Sequence, residues 1–197
     1  MAPEETTSSA RDALSARERI LDTAYELFSN NGIRAVGIER IIDDAGVAKK
    51  TLYHHFASKQ ALVLAFLDTR HQRWTSGWLA PQIRELAATP RERSLALFDA
   101  LDEWFRRDEY ESDPFTCALL EIRDKADLVH QEAAHQLDLI REILQDSAQQ
   151  AGVGDPHAVA LQMQILMIGA IVCATLGDLD AARRARELAA LLLASAD

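Results

Sequence analysis

Two short segments with helical periodicity follow each other with only three residues, 46–48, between them. Apolar side chains recur at helical spacing in 38–45, and the segment 49–56 places Leu52 and Phe56 four residues apart on one side. Two helices joined by so short a turn must cross at a steep angle, which is the geometry of a helix-turn-helix. A plain corner between two helices of an α-helical protein explains the pattern equally well at this point.

The remainder of the chain also has the pattern of helices, because only eight glycines and five prolines interrupt it and strand signals are scarce. Ser15 and Glu18 have the spacing of a capping box, and Ser58 can cap a longer helix that runs towards Trp74. Gly32 follows the first helix, and we expect it in the left-handed C′ conformation. The sequence therefore predicts an all-α fold of about nine helices.

Charge is distributed unevenly along the chain. The total is −10, with 31 acidic against 21 basic residues, which excludes a general nucleic-acid coating protein. Between Asp44 and Asp68, however, no carboxylate occurs, and this window holds Lys49, Lys50 and Lys59. Such a positive island on an acidic protein favours contact with phosphate through one face only. The alternative is a solvated lysine pair at the start of a helix.

Several compartments and cofactor classes are disfavoured by composition. The two cysteines, Cys117 and Cys173, form no CxxC and no Cys/His cluster, so we expect neither a disulfide scaffold nor a metal site. Residues 1–13 have the composition of a flexible tail and lack the features of a signal peptide. The uncharged stretch from His157 to Gly177 is nearly long enough to span a membrane, but a buried helix explains it better. We therefore expect a cytoplasmic protein.

The segment 45–62 carries a dense local motif. Its sequence, AGVAKKTLYHHFASKQAL, closely resembles the TetR family of bacterial transcriptional regulators. The resemblance implies an N-terminal three-helix DNA-binding domain over 14–60, with the helix-turn-helix at about 37–56. It also implies a helical ligand-binding and dimerisation domain over 61–197.

The resemblance also implies roles for individual residues. The start of the recognition helix would face the major groove, Tyr53 and the N-terminus of the fourth helix would contact phosphates, and Gly37 or Arg40 would replace a hydroxyl contact that the family usually makes. Position 48 is Ala where the family has Ser, so a helix cap is missing. The expected DNA-contacting residues are Lys49, Lys50, Thr51, Tyr53, His54, Lys59, Gly37 and Arg40.

Two further residue sets follow from the family's C-terminal domain, which binds a small effector and dimerises. For any one candidate pocket residue, plain core packing is the alternative and explains it better. The candidates are Trp74, Trp78, Phe98, Trp104, Phe105, Phe115, Cys117, Arg123, Met163 and Met167. Small and apolar side chains on the last two helices predict a dimer interface, the alternative being the core of a monomer. Its residues are Leu166, Gly169, Ala170, Cys173, Leu188, Leu191 and Leu192.

The sequence thus predicts a ligand-responsive repressor that binds a palindromic operator as a homodimer, without cofactor or catalysis. No nucleophile motif, phosphate-binding glycine loop or HExxH motif occurs. One alternative is an all-α small-molecule-binding protein or enzyme without DNA binding, with Asp124 and Asp127, or Glu121 and Arg123, as conceivable site residues. Another is a helical interaction protein whose helix-turn-helix no longer binds DNA.

Overall fold

The computed structural model describes residues 14–107, 110 and 113–196. Within these residues the chain forms nine helices and no strand, so the predicted all-α fold is confirmed. The predicted tail, 1–13, lies outside the described residues. The helices are α1 (Ala16–Asn31), α2 (Ile38–Ala45), α3 (Lys49–His55), α4 (Lys59–Arg70, His71–Leu79 and Ala80–Glu85 in direct succession), α5 (Pro90–Phe105), α6 (Pro114–Glu121), α7 (Leu128–Gln150), α8 (Pro156–Thr175) and α9 (Ala181–Ser195).

The predicted helix starts agree with the structure. The Ser15 hydroxyl accepts a hydrogen bond from the Glu18 N–H, and the Glu18 carboxylate accepts one from the Ser15 N–H, which completes a capping box. Ser58 caps α4 by accepting from the Ala61 N–H. The end of α1 differs from the prediction, because Gly32 has a positive φ of 80° but an extended ψ of 160°.

Helix α4 is longer than predicted. It continues past Trp74 to Glu85, and its middle section, His71–Leu79, is a π-helical segment with wider turns. Pro81 lies two residues after this segment and lacks the N–H that a regular α-helix would donate to the carbonyl one turn earlier. A wider turn at this point therefore costs fewer hydrogen bonds than it would elsewhere, so the helix deforms instead of ending.

The N-terminal helices and the rest of the chain share one hydrophobic core. Ile41 of α2 and Leu52 of α3 are completely buried. Phe66 of α4 is also completely buried, and its ring lies 5.4 Å from the rings of Tyr25 and Phe28 on α1. Helix α1 is thus held against α4 by aromatic packing, and α1 in turn packs on α2 and α3.

The C-terminal helices pack as a bundle in which α8 lies between α7 and α9, and α9 also packs on α5. Helix α8 is long and apolar enough, by length and composition alone, to cross a membrane. One of its faces buries Met163, Met167 and Ile171 in the bundle. The opposite face is exposed, so the prediction that α8 is buried between protein surfaces holds for one side of the helix within this chain.

Candidate nucleic-acid interface and effector cleft

The turn between α2 and α3 fixes the orientation of the recognition helix. Gly46 adopts the left-handed conformation, with φ 62° and ψ 40°, and its N–H donates to the Asp43 carbonyl. Leu52 and Phe56 are buried under α3 and anchor it. The other face of α3 is therefore directed outward, and the hydroxyl-bearing ring of Tyr53 is 44% exposed.

The predicted DNA-contacting residues of α2 and α3 differ in their electrostatic environments. Lys49 Nζ lies 2.8 Å from Glu39 Oε1, and this hydrogen bond raises the pKa of Lys49 and lowers the pKa of Glu39. Arg40 lies 3.7 Å from Asp44. Lys50 is exposed and forms no ion pair with any described residue. It is thus the predicted contact whose charge is most directly available to a phosphate.

The other predicted contacts lie around these lysines. His54 is exposed, and its ring stacks edge-on against that of His55 at 5.1 Å. Thr51 is partly buried in the first turn of α3. Gly37 is exposed at the N-cap of α2, with no side-chain cap for the first N–H groups of that helix. A backbone N–H at this end is therefore available to an anion.

Lys59 has a structural interaction in addition to its predicted phosphate contact. Its Nζ donates to the Ile33 carbonyl at 2.6 Å and lies 6.0 Å from the Phe28 ring centroid. Burial lowers the pKa of Lys59, and the nearby charge of Glu121 acts in the opposite direction. The amine therefore ties α4 to the loop that follows α1.

Glu121, which the sequence reading considered only as part of an enzyme site, connects the same loop to α6. Its two carboxylate oxygens accept hydrogen bonds from the Ile33 N–H at 3.2 Å and from the Arg34 N–H at 2.7 Å. The partners are 88 and 87 residues apart in the sequence, so no local pattern could have indicated them. This tie joins the N-terminal helices to the C-terminal bundle at a second point.

Three of the predicted pocket residues lie together. Trp74, Trp78 and Trp104 line an open cleft of about 280 Å³, with Tyr25 of α1 on its opposite side. Sequence reasoning missed the three arginines that share the cleft with the tryptophans. Arginines at helical spacing have the pattern of a solvated face, and only the pairing of α1, α4 and α5 brings them into contact with the rings. These arginines are Arg70, Arg73 and Arg107.

The other predicted pocket residues do not line this cleft. Five of them are almost completely buried, because they fill the space between the helices of the bundle. Cys117 lines a separate pocket of about 260 Å³ beside the end of α1, and Arg123 is exposed after α6. The five core residues are Phe98, Phe105, Phe115, Met163 and Met167.

Most of the predicted dimer residues lie along one groove on α8 and α9. Leu166, Gly169, Ala170, Cys173 and Leu188 line a groove of about 340 Å³. Leu191 is 68% exposed, whereas Leu192 is partly buried against the core. Two strongly exposed residues were not singled out from the sequence, because a uniformly apolar helix shows no preferred face. They are Ile165 and Leu176, which are 69% and 83% exposed.

Among the residues that the structure describes, no group of three or more His, Cys, Asp or Glu side chains is placed to hold a metal ion.

Comparison with known proteins agrees with this arrangement. A family model described as "Bacterial regulatory proteins, tetR family" matches residues 20–66. Over most of its length the fold resembles SCO4454, a TetR-family transcriptional regulator from Streptomyces coelicolor. The TM-score is 0.84 at 26% identity, covering 92% of this chain and 95% of that one. The predicted resemblance to the TetR family is therefore confirmed, by sequence over residues 20–66 and by fold over most of the chain.

The curated TetR-family relatives match a shorter part of the chain. The transcriptional repressor KstR2 of Mycobacterium tuberculosis is 37% identical over 89 residues, which cover 44% of this chain and 42% of that protein. The transcriptional activator FasR of Mycolicibacterium smegmatis is 34% identical over 96 residues, covering 49% and 42%. The chain thus matches less than half the length of these relatives, which carry the names of transcriptional regulators and not of enzymes.

Proposed function

We propose that the protein is a DNA-binding transcriptional regulator whose recognition helix is α3. The observation that carries this proposal is the division of α3 into two faces. Leu52 is buried and holds the helix in place, while Lys50 and Tyr53 project outward from a stretch without carboxylates. A cation and a phenolic hydroxyl on one exposed helix face suit phosphate contact beside the major groove.

We further propose that the domains divide as the sequence indicates, with DNA binding in 14–60 and effector binding and dimerisation in 61–197. The acidic excess of the chain lies mainly in the second part. Because DNA repels that surface, the protein would approach the duplex with the α3 face only. The name of KstR2 as a repressor supports repression as the mode of action, and a cytoplasmic location follows from a function on DNA.

The groove on α8 and α9 is proposed to be covered by a second copy of the chain. Its centre consists of Gly169, Ala170 and Cys173, whose small side chains permit close approach of another helix. An ion pair between Arg184 and Asp178, with N–O distance 2.8 Å, lies at the edge of the apolar surface. An apolar centre with a charged rim is the usual composition of a protein interface. A symmetric dimer presents two recognition helices to half-sites about 34 Å apart.

Regulation by an effector would be conformational. An effector that prefers a state with wrongly spaced recognition helices lowers the affinity for the operator without any chemical step. The contacts of α4 with α1 supply a route, because Phe66 and Lys59 connect the two helices directly.

A binding selection on random duplex DNA at moderate salt tests the proposal. The purified protein should enrich an inverted repeat. The triple variant Lys49→Ala, Lys50→Ala, Tyr53→Ala should lose this binding while it keeps its helical content and oligomeric state. Ile165→Glu should instead give a folded monomer, seen by sedimentation, with much weaker operator binding because each half-site is then bound alone.

Failure to enrich any sequence, by a protein shown on the same sample to be a folded dimer, would contradict DNA binding. The protein would then be an all-α small-molecule-binding protein, a class that the tryptophan-lined cleft also supports. A dimer that persists in Ile165→Glu would contradict the assignment of the α8–α9 groove as the interface.

A further inference from the structure

We propose that the cleft between α1, α4 and α5 binds a small aromatic carboxylate. This arginine–tryptophan cleft is lined by Trp74, Trp78, Trp104, Arg70, Arg73 and Arg107, with Tyr25 opposite them. Binding itself stands on the geometry of the cleft. The further claim that such a ligand acts as the effector rests on the proposed function.

The walls of the cleft are π surfaces. The ring centroid of Trp74 lies 5.0 Å from that of Trp104 and 5.8 Å from that of Trp78, with tilted planes. Tyr25 adds a fourth ring from α1. Rings at these separations attract another aromatic ring through dispersion and quadrupole interactions, beyond the burial of apolar area. The cleft therefore favours a flat, aromatic occupant.

The cleft is also strongly cationic. Arg107 lies 4.6 Å above the Trp78 ring and forms no ion pair with any described residue. Arg73 stacks over Tyr25 at 4.8 Å and pairs with Asp22 at 2.6 Å. Of the described residues that line the cleft, none carries a carboxylate. An anion placed here meets guanidinium groups whose planar donors match a carboxylate.

One of the cationic groups lies inside the protein. Arg70 is only 5% exposed, and its guanidinium stacks over the rings of Trp74 and Trp104 at 5.3 and 5.4 Å. Its Nη1 donates to the Tyr25 hydroxyl at 3.1 Å. A cation held in so little water exerts a stronger field than a surface charge, because solvent screens it less.

A second observation points to a ligand with an acceptor atom. Trp74 is 8% exposed, and its Nε1 has no hydrogen-bond partner among the described residues. Buried indole N–H groups usually have an acceptor, and leaving one unsatisfied is costly. Trp74 lines the cleft, so a carboxylate oxygen there would satisfy this donor once the side chains that cover Nε1 move aside.

The backbone under the cleft is unusual at the same place. Arg73, Trp74 and Trp78 all belong to the π-helical segment of α4. Such segments occur frequently at functional sites, where the wider turn changes the direction of the side chains. The volume of about 280 Å³ is enough to admit a single substituted ring.

Intrinsic fluorescence reports on this cleft selectively, because the chain has three tryptophans and all of them line it. Three probes of nearly equal size separate the contributions: phenylacetate, its neutral amide phenylacetamide, and cyclohexylacetate, which keeps the charge but has no π system. We expect saturable binding of phenylacetate. We expect affinity lower by about tenfold or more for the amide, the factor that accompanies loss of one charge-assisted hydrogen bond. Cyclohexylacetate should also bind more weakly than phenylacetate.

Variants assign the binding to named groups, with calorimetry as a second readout. Arg107→Gln removes an exposed charge without affecting the core and should weaken phenylacetate binding about tenfold while leaving the amide unaffected. Trp74→Phe keeps a ring in place but removes the Nε1 donor, and it should also weaken the binding of phenylacetate. Arg84→Gln, at the far end of α4, removes the same charge away from the cleft and serves as the control.

Absence of saturable binding by phenylacetate, equal affinity for acid and amide, or unchanged affinity in both Arg107→Gln and Trp74→Phe would each overturn the proposal. The effector role is tested separately, by release of the protein from its selected operator on addition of phenylacetate. Carboxylate binding by a protein that selects no DNA would support the site and refute the regulator. Operator binding without carboxylate binding would support the regulator and refute the carboxylate site.

Discussion

Lys50 offers a quantitative test of which charges of the recognition helix contact DNA. Its amine is exposed and forms no ion pair with a described residue, whereas Lys49 is paired with Glu39 at 2.8 Å. Each lysine that neutralises a phosphate releases condensed counterions from the duplex, and removing one contact reduces the slope of log affinity against log salt by about 0.9. A homodimer makes this contact at both half-sites, so Lys50→Gln should reduce the slope of log affinity against log salt by about 1.8.

This slope gives a large measurable effect. Between about 50 mM and about 200 mM salt, the advantage of the wild type over Lys50→Gln in operator affinity should shrink by about 12-fold. Fluorescence anisotropy of a labelled operator, titrated at several salt concentrations, measures both slopes. The unfolding free energy should remain unchanged, because Lys50 is an exposed side chain without structural contacts among the described residues.

Arg84→Gln provides the matched control for Lys50→Gln. Arg84 carries the same charge but lies 25 residues beyond Lys59 along α4, which corresponds to roughly 37 Å at 1.5 Å per residue. This distance is several Debye lengths, so the salt slope of Arg84→Gln should equal that of the wild type. An unchanged slope in Lys50→Gln, or an equal loss in both variants, would refute the assignment of a local phosphate contact to Lys50.

Three further outcomes test the fold. Phe66→Ala should lower the unfolding free energy by about 3–5 kcal/mol in urea denaturation, because it leaves a cavity between α1 and α4; a loss below about 1 kcal/mol would contradict the shared core. Gly46→Ala should lower the unfolding free energy by about 1–2 kcal/mol, because an alanine at a φ of 62° is strained. No neighbour lies within 4 Å of an added Cβ, so the loss has no steric part, and an unchanged unfolding midpoint would contradict it. The capping hydrogen bonds lower the pKa of Glu18 below 4.5, so their stabilisation is complete above that pH and is lost as the pH falls through the lowered value. The difference in stability between the wild type and Glu18→Gln should therefore shrink below pH 4.5, and a difference that stays constant with pH would argue against the box.

Local chemistry explains which parts of the fold could be predicted. The Ser15 capping box, the break at Gly46 and the Ser58 cap each depend on residues within a few positions, and the structure agrees with all three. The end of α4 could not be predicted in this way. The apolar pattern weakens near Trp74, yet the helix continues because packing against α1 and α5 stabilises it.

The residues of the cleft could likewise be predicted only in part from the sequence. Trp74 and Trp104 were predicted as pocket residues, but Arg70 between them was not. An arginine at helical spacing is exposed in most proteins, and its burial depends on which helices become neighbours in three dimensions. Met163 and Phe115, in contrast, have the composition of a pocket but fill the core, since periodicity does not distinguish an apolar wall from an apolar interior.

The tie between Glu121 and the loop after α1 constrains how sequences of this kind can diverge. A Cβ at position 32 would lie 2.5 Å from Glu121 Oε1, so any residue larger than Gly32 would displace the carboxylate from the two N–H groups it accepts from. Substitution at position 121 removes this conflict. In an alignment of related sequences, an acidic residue at position 121 should therefore accompany glycine at position 32. Lineages without glycine at position 32 should also lack the acidic residue at position 121.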